Sequence, residues 1–144
     1  MLGASNMDTN FISERTFNNA EKDIREFICD LWEPKLGDLF FWNDDDTSKE
    51  CNIDCCTSMN VVKRTGENKG ININNRSPLL SEFQIKEMIY HITSKKVNVN
   101  YEISNIKISL GELDYYSKDT EIVSLWKVLL KVCREHLDKN KQSI

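Results

Sequence analysis

The chain has 144 residues, 40% of them apolar and 29% charged, with a formal net charge of −4, which is enough chain to bury a core without disulfide or metal staples. The acidic balance weighs against broad electrostatic affinity for nucleic acid or an anionic membrane. No apolar run approaches the roughly 20 residues that a membrane-spanning helix needs.

The five cysteines, Cys29, Cys51, Cys55, Cys56 and Cys133, are odd in number, and the first ten residues lack the charged start and apolar middle of a secretory signal. Reduced thiols in a cytoplasmic protein are the expectation. Residues 1–15 read as a polar, flexible lead-in, residues 1–6 of it alternatively as an addition ahead of a natural start at Met7.

Thr16 is a candidate N-cap for a first helix, whose stripe Phe17, Ala20, Ile24, Phe27, Ile28 and Leu31 follows steps of three and four. Pro34 has no N–H to continue that helix, and Gly37 permits a turn. The stretch from Trp32 to Trp42 is thus a helix-to-strand corner, and the near-continuous apolar run 38–43 reads as a strand covered on both faces. A polar loop tip follows at 43–48. Weaker strand candidates lie at 51–56, 59–64 and 71–74, with a turn at 65–70.

Ser81 and Gln84 form an S-x-x-Q capping box, with Leu80 and Ile85 spaced as a hydrophobic staple. They open a second helix at about 82–93 with Ile85, Met88, Ile89 and Ile92 as its buried stripe. Residues 97–103 alternate strictly, and Ile106, Ile108 and Leu110 repeat the alternation beyond Ser104 and Asn105, the pattern of an antiparallel hairpin. Ser117 or Asp119 can cap a last helix with the stripe Ile122, Leu125, Trp126, Leu129, Val132, Cys133 and Leu137. The order of elements predicts an α+β domain over 16–138, a mostly antiparallel sheet with about three helices packed on it. Residues 139–144 are expected to fray.

Three of these stretches, taken in order, resemble a loose group of small proteins encoded by phages and prophages of low-GC Gram-positive bacteria. Trp32-Glu33-Pro34-Lys35-Leu36-Gly37-Asp38 looks like their W-x-P-x-x-G-D opening ahead of an aromatic strand. Pro78-Leu79-Leu80-Ser81-Glu82-Phe83-Gln84-Ile85 looks like their P-L-L-x-x-x-Q approach to a helix, and Ser124-Leu125-Trp126 looks like their closing L-W helix. The resemblance implies a compact α+β fold and a phage accessory setting, and it implies no activity.

Chemistry-bearing residues are sparse. Zinc is one alternative, since Cys51 and Cys55 have C-x₃-C spacing and Cys133 and His136 sit three apart on one predicted helix, but no second C-x₂₋₄-C pair follows. Core and surface thiols suit these residues better. Calcium at Asp44, Asp45 and Asp46 fails, because Lys49 and Cys55 stand where an EF-hand loop needs Gly and Glu. No G-x-S-x-G, phosphate-loop or dinucleotide motif occurs, so catalysis lacks a signature and no cofactor is called for. The expectation is a non-enzymatic protein that binds another protein in phage–host interplay, with Trp42 beside acidic Asp44, Asp45 and Asp46 as the candidate contact surface. The alternative is a small-ligand or zinc-binding protein whose catalytic site, if it has one, is unrecognised.

Overall fold

The computed structural model describes residues 10–42, 53–56 and 76–142. Among the described residues, Phe11 bridges to Ser81, and the Ile12 N–H donates to the Leu80 carbonyl at 2.9 Å. Ile12 is fully buried, so the fold starts inside the expected lead-in. A buried apolar side chain whose own N–H is held by a bridge-type hydrogen bond has no reason to stay loose.

Helix α1, Glu14–Asn18, is capped by Ser13, whose hydroxyl accepts from the Thr16 N–H at 3.2 Å. Thr16 is therefore inside the first turn and is not the cap. Helix α2, Lys22–Leu31, follows after a break. The single predicted helix is in fact two: Asn side chains, as at positions 18 and 19, compete for backbone hydrogen bonds and disfavour helix, and the chain turns there. The apolar stripe nevertheless crosses the break: Phe17, Ile24 and Ile28 are buried, with Ala20, Phe27 and Leu31 packed against them.

The corner then forms as expected. Trp32 ends α2 and is buried, and Gly37 takes φ +90°. The Asp38 carboxylate accepts from Trp32 Nε1 at 3.2 Å and from the Lys35 N–H at 3.0 Å. One side chain thereby fixes both arms of the turn. Strand β1, Leu39–Trp42, buries the consecutive residues Phe40 and Phe41, which confirms that it is covered on both faces. It pairs antiparallel with β2, Ile53–Cys55, and with β3, Arg76–Pro78. Among the described residues β3 is an edge of this sheet, the position where Pro78 costs no ladder bond. The candidate strands at 59–64 and 71–74, and the turns at 43–48 and 65–70, lie outside the described residues.

Helix α3, Glu82–Thr93, carries the capping box: the Gln84 N–H donates to the Ser81 hydroxyl at 3.3 Å, and the Ser81 N–H donates to Gln84 Oε1 at 2.8 Å. Leu80 and Ile85 are both fully buried. A second antiparallel sheet follows, ordered β4-β5-β6, from Val97–Tyr101, Ile106–Leu110 and Leu113–Ser117. The expected hairpin pairs Val97 with Leu110 and Tyr101 with Ile106. Strand β6 was not expected: Gly111 turns the chain at φ +63°, and Tyr115 comes to lie opposite Ile108.

Helix α4, Glu121–Gln142, touches α2, α3 and β5 and is the hub of the core. Thr120, rather than Ser117 or Asp119, supplies its side-chain cap, accepting from the Val123 N–H at 3.4 Å. Ring packing ties the hub to the first sheet, since Phe17 lies 5.7 Å from Phe41 and 5.9 Å from Trp126, centroid to centroid. Past Leu137 the helix continues. Arg134 holds Asp138 at 3.2 Å, and Asn140 holds the His136 ring at 3.2 Å. The architecture is α+β, with four helices and two antiparallel sheets among the described residues.

Candidate functional site

A concavity of about 910 Å³ runs between the α2–β1 corner and α3. Its position follows from how each wall folds. Pro34 and Gly37 stop α2 and swing the chain outward, leaving Asp30, Glu33 and Lys35 exposed on one bank. On the other bank α3 turns Ile85, Met88 and Ile89 to the core. Seven residues are close to two full helical turns, so Phe83 and Tyr90 fall together on the opposite, outward side. They stand 68% and 50% exposed.

Between the banks the lining is apolar, from Leu31, Trp32, Met88 and Val97, and Lys86, His91 and Lys96 edge the α3 and β4 side. Charges of both signs therefore rim each bank, Lys35 among the acids of the corner and Glu87 among the basic groups across from it. Two solvent-facing rings over an apolar floor with a charged rim suit recognition of an apolar anchor.

Of the residues singled out from sequence, Asp44, Asp45, Asp46 and Cys51 lie outside the described residues. Trp42 contributes its backbone to β1, pairing with Arg76. Cys55 is exposed on β2, whereas Cys133 is fully buried in α4. Burial pushes the Cys133 thiol up to about 12, which disfavours the thiolate that a metal or a nucleophilic role requires. His136 stacks on Phe27 with ring centroids 5.1 Å apart and planes 18° apart, a contact between α2 and α4. Among the described residues no three His, Cys, Asp or Glu side chains converge as metal ligands.

A second polar cluster lies where α3, α4 and β4 meet. Lys86 Nζ is 3.1 Å from Glu82 and 4.0 Å from Glu121, and the Tyr101 hydroxyl donates to Glu121. A third joins α2 to α4: Arg134 binds Asp23 at 2.7 Å and Glu21 at 3.2 Å. The guanidinium hydrogen bond holds the Asp23 carboxyl below its ordinary range.

Sequence reasoning passed over Phe83 and Tyr90, although both lie off the buried stripe of a helix that it placed correctly. Two aromatics on the polar side of an amphipathic helix were a readable signal. The Glu82–Glu121 cluster was not readable, because its members come from three separate elements. Compared with family models, curated proteins and solved structures, the chain matches none.

Proposed function

We propose that this protein works by binding another protein in the groove between the α2–β1 corner and α3, with Phe83 and Tyr90 as the anchors. The exposure of those two rings on one face of α3 carries the reading. A monomeric helix in water gains nothing by presenting aromatic side chains two turns apart over an apolar floor, whereas a contact site does. The charged rim on both banks would set the partner's orientation. The setting that fits is an accessory role in phage–host interplay, in a cytosol that keeps the thiols reduced. The resemblance of the corner and the two helices to phage and prophage proteins supports it. Trp42 and the acidic residues after it remain a proposed second contact.

The test compares the wild-type chain with a Phe83→Ala, Tyr90→Ala variant, each immobilised and exposed to a host-cell lysate. Both positions are exposed, so each substitution should change stability by no more than about 0.5 kcal/mol. Removing two anchors of about 2 kcal/mol each should cut partner retention by well over 10-fold. A retained set identical in identity and amount would refute the groove.

One observation favours a second reading. A concavity of about 910 Å³ falls within the range that small organic ligands occupy. Native mass spectrometry of the reduced protein separates the readings: a mass gain matching an organic ligand promotes small-molecule binding, and a zinc-sized gain directs attention to Cys51 and Cys55.

A further inference from the structure

The hairpin of β4 and β5 is closed by the Glu102 N–H, which donates to the Asn105 carbonyl at 2.8 Å. Bonded and non-bonded pairs alternate along an antiparallel ladder. Counting back from that closing bond in the observed register, Asn100 and Asn98 form bonded pairs with Lys107 and Ser109. Val97, Val99 and Tyr101 therefore turn their N–H and C=O groups away from β5. Among the described residues β4 is an edge of its sheet, so those groups have no strand to pair with and need water or a further strand.

An open edge is commonly blunted by a charge, a proline or a bulge. Strand β4, Val97-Asn98-Val99-Asn100-Tyr101, has none of these, and all five residues pair with β5 without interruption. Its far end is fixed as well, since the Tyr101 hydroxyl donates to Glu121 at the start of α4. The opposite edge of the sheet, β6, carries Asp114. Of the two edges, β4 is thus the one prepared to accept a strand.

We propose that β4 pairs antiparallel with the β4 of a second copy of this chain, about a twofold axis through Val99. Two three-stranded sheets then become one continuous sheet. Read outward from Val99, the strand is nearly the same in both directions. The axis sets Val99 opposite its own counterpart, each Asn98 opposite the other copy's Asn100, and each Val97 opposite Tyr101. The three residues whose backbone groups point away from β5 thereby supply the bonded pairs of the new ladder. One step further out the same register sets Lys96 opposite Glu102, an ion pair on either side of the axis. Both residues are exposed, and neither has an ion partner among the described residues. A foreign segment has no reason to match this symmetry, whereas a second copy matches it by construction. The inference stands apart from the binding groove, although Lys96 and Val97 also line that groove.

The test joins sedimentation velocity of the full chain over a range of concentrations with amide hydrogen exchange read by NMR. Asn98 and Asn100 should be protected at every concentration, while Val97, Val99 and Tyr101 should gain protection only as the dimer forms. Glu102→Lys sets like charges opposite one another twice per dimer and should weaken association by about 10-fold or more. Adding Lys96→Glu to it should restore the dimer. The two positions lie about 20 Å apart along one strand, so such a rescue cannot arise within a single chain. A chain that stays monomeric up to about 1 mM overturns the proposal. So does a dimer that leaves the three amides unprotected, or a charge swap that associates no better than Glu102→Lys alone. Protection of the three amides in a monomer, on addition of an extended peptide, would assign the edge to another protein and likewise overturn self-pairing.

Discussion

Asp38 shows what a single carboxylate does when two arms of a turn need the same acceptor. It receives Trp32 Nε1 at 3.2 Å and the Lys35 N–H at 3.0 Å, and its own N–H donates to the Lys35 carbonyl at 3.0 Å. The indole N–H belongs to a buried ring, so losing the acceptor leaves a donor with little access to water. Asp38→Ala should therefore cost about 1–3 kcal/mol in urea denaturation. Asp38→Asn, which keeps one acceptor oxygen, should cost clearly less; equal losses for the two would mean that the carboxylate does not hold the corner. The W-x-P-x-x-G-D run thus has a physical meaning independent of any resemblance. Trp supplies the donor, Pro the stop, Gly the positive φ and Asp the acceptor.

At the level of elements, legibility followed locality. Helix α3 was readable to the residue because its start is written in Ser81 and Gln84 and its stripe in four apolar positions. The first helix was misread as one because burial ignores the break: Phe17 and Ile24 face the same core from two helices. Strand β3 escaped notice since Ser77 and Pro78 do not alternate as a strand should, and only its place beside β1 makes it one. Strand β6 was hidden for a similar reason, with Tyr115 partly buried by its neighbour β5 and the cation of Lys131 5.8 Å above its ring. The end of α3 fell where it was expected, but the form of its cap was not foreseen. Ser94 closes it in the left-handed region, at φ 62°, with its N–H on the Tyr90 carbonyl at 2.7 Å. A β-carbon is disfavoured there, so Ser94→Gly should stabilise the protein by up to about 1 kcal/mol, less the freedom that Gly adds to the unfolded chain. A lower melting temperature for this variant would show that the serine side chain contributes more than its backbone strain costs.

Across the whole molecule, the two sheets never pair with each other among the described residues, and aromatic and aliphatic packing on α4 makes them one structure. Phe17 is the clearest link, with Phe41 on one side and Trp126 on the other. Phe17→Ala should cost about 3–5 kcal/mol, and tryptophan fluorescence and far-ultraviolet circular dichroism should report a single, earlier transition. Two separated transitions would mean that the sheets unfold independently. The bridge from Phe11 to Ser81 has a consequence in time rather than in space. During synthesis Ile12 leaves the ribosome about 70 residues before the Leu80 carbonyl that receives its N–H, and at about 5–20 residues per second that is a wait of several seconds. Trp126, against which Phe17 packs, is made later still. The segment around Ile12 and Phe17 must therefore stay unfinished, with its apolar side chains in reach of chaperones, until Leu80 and Trp126 have arrived.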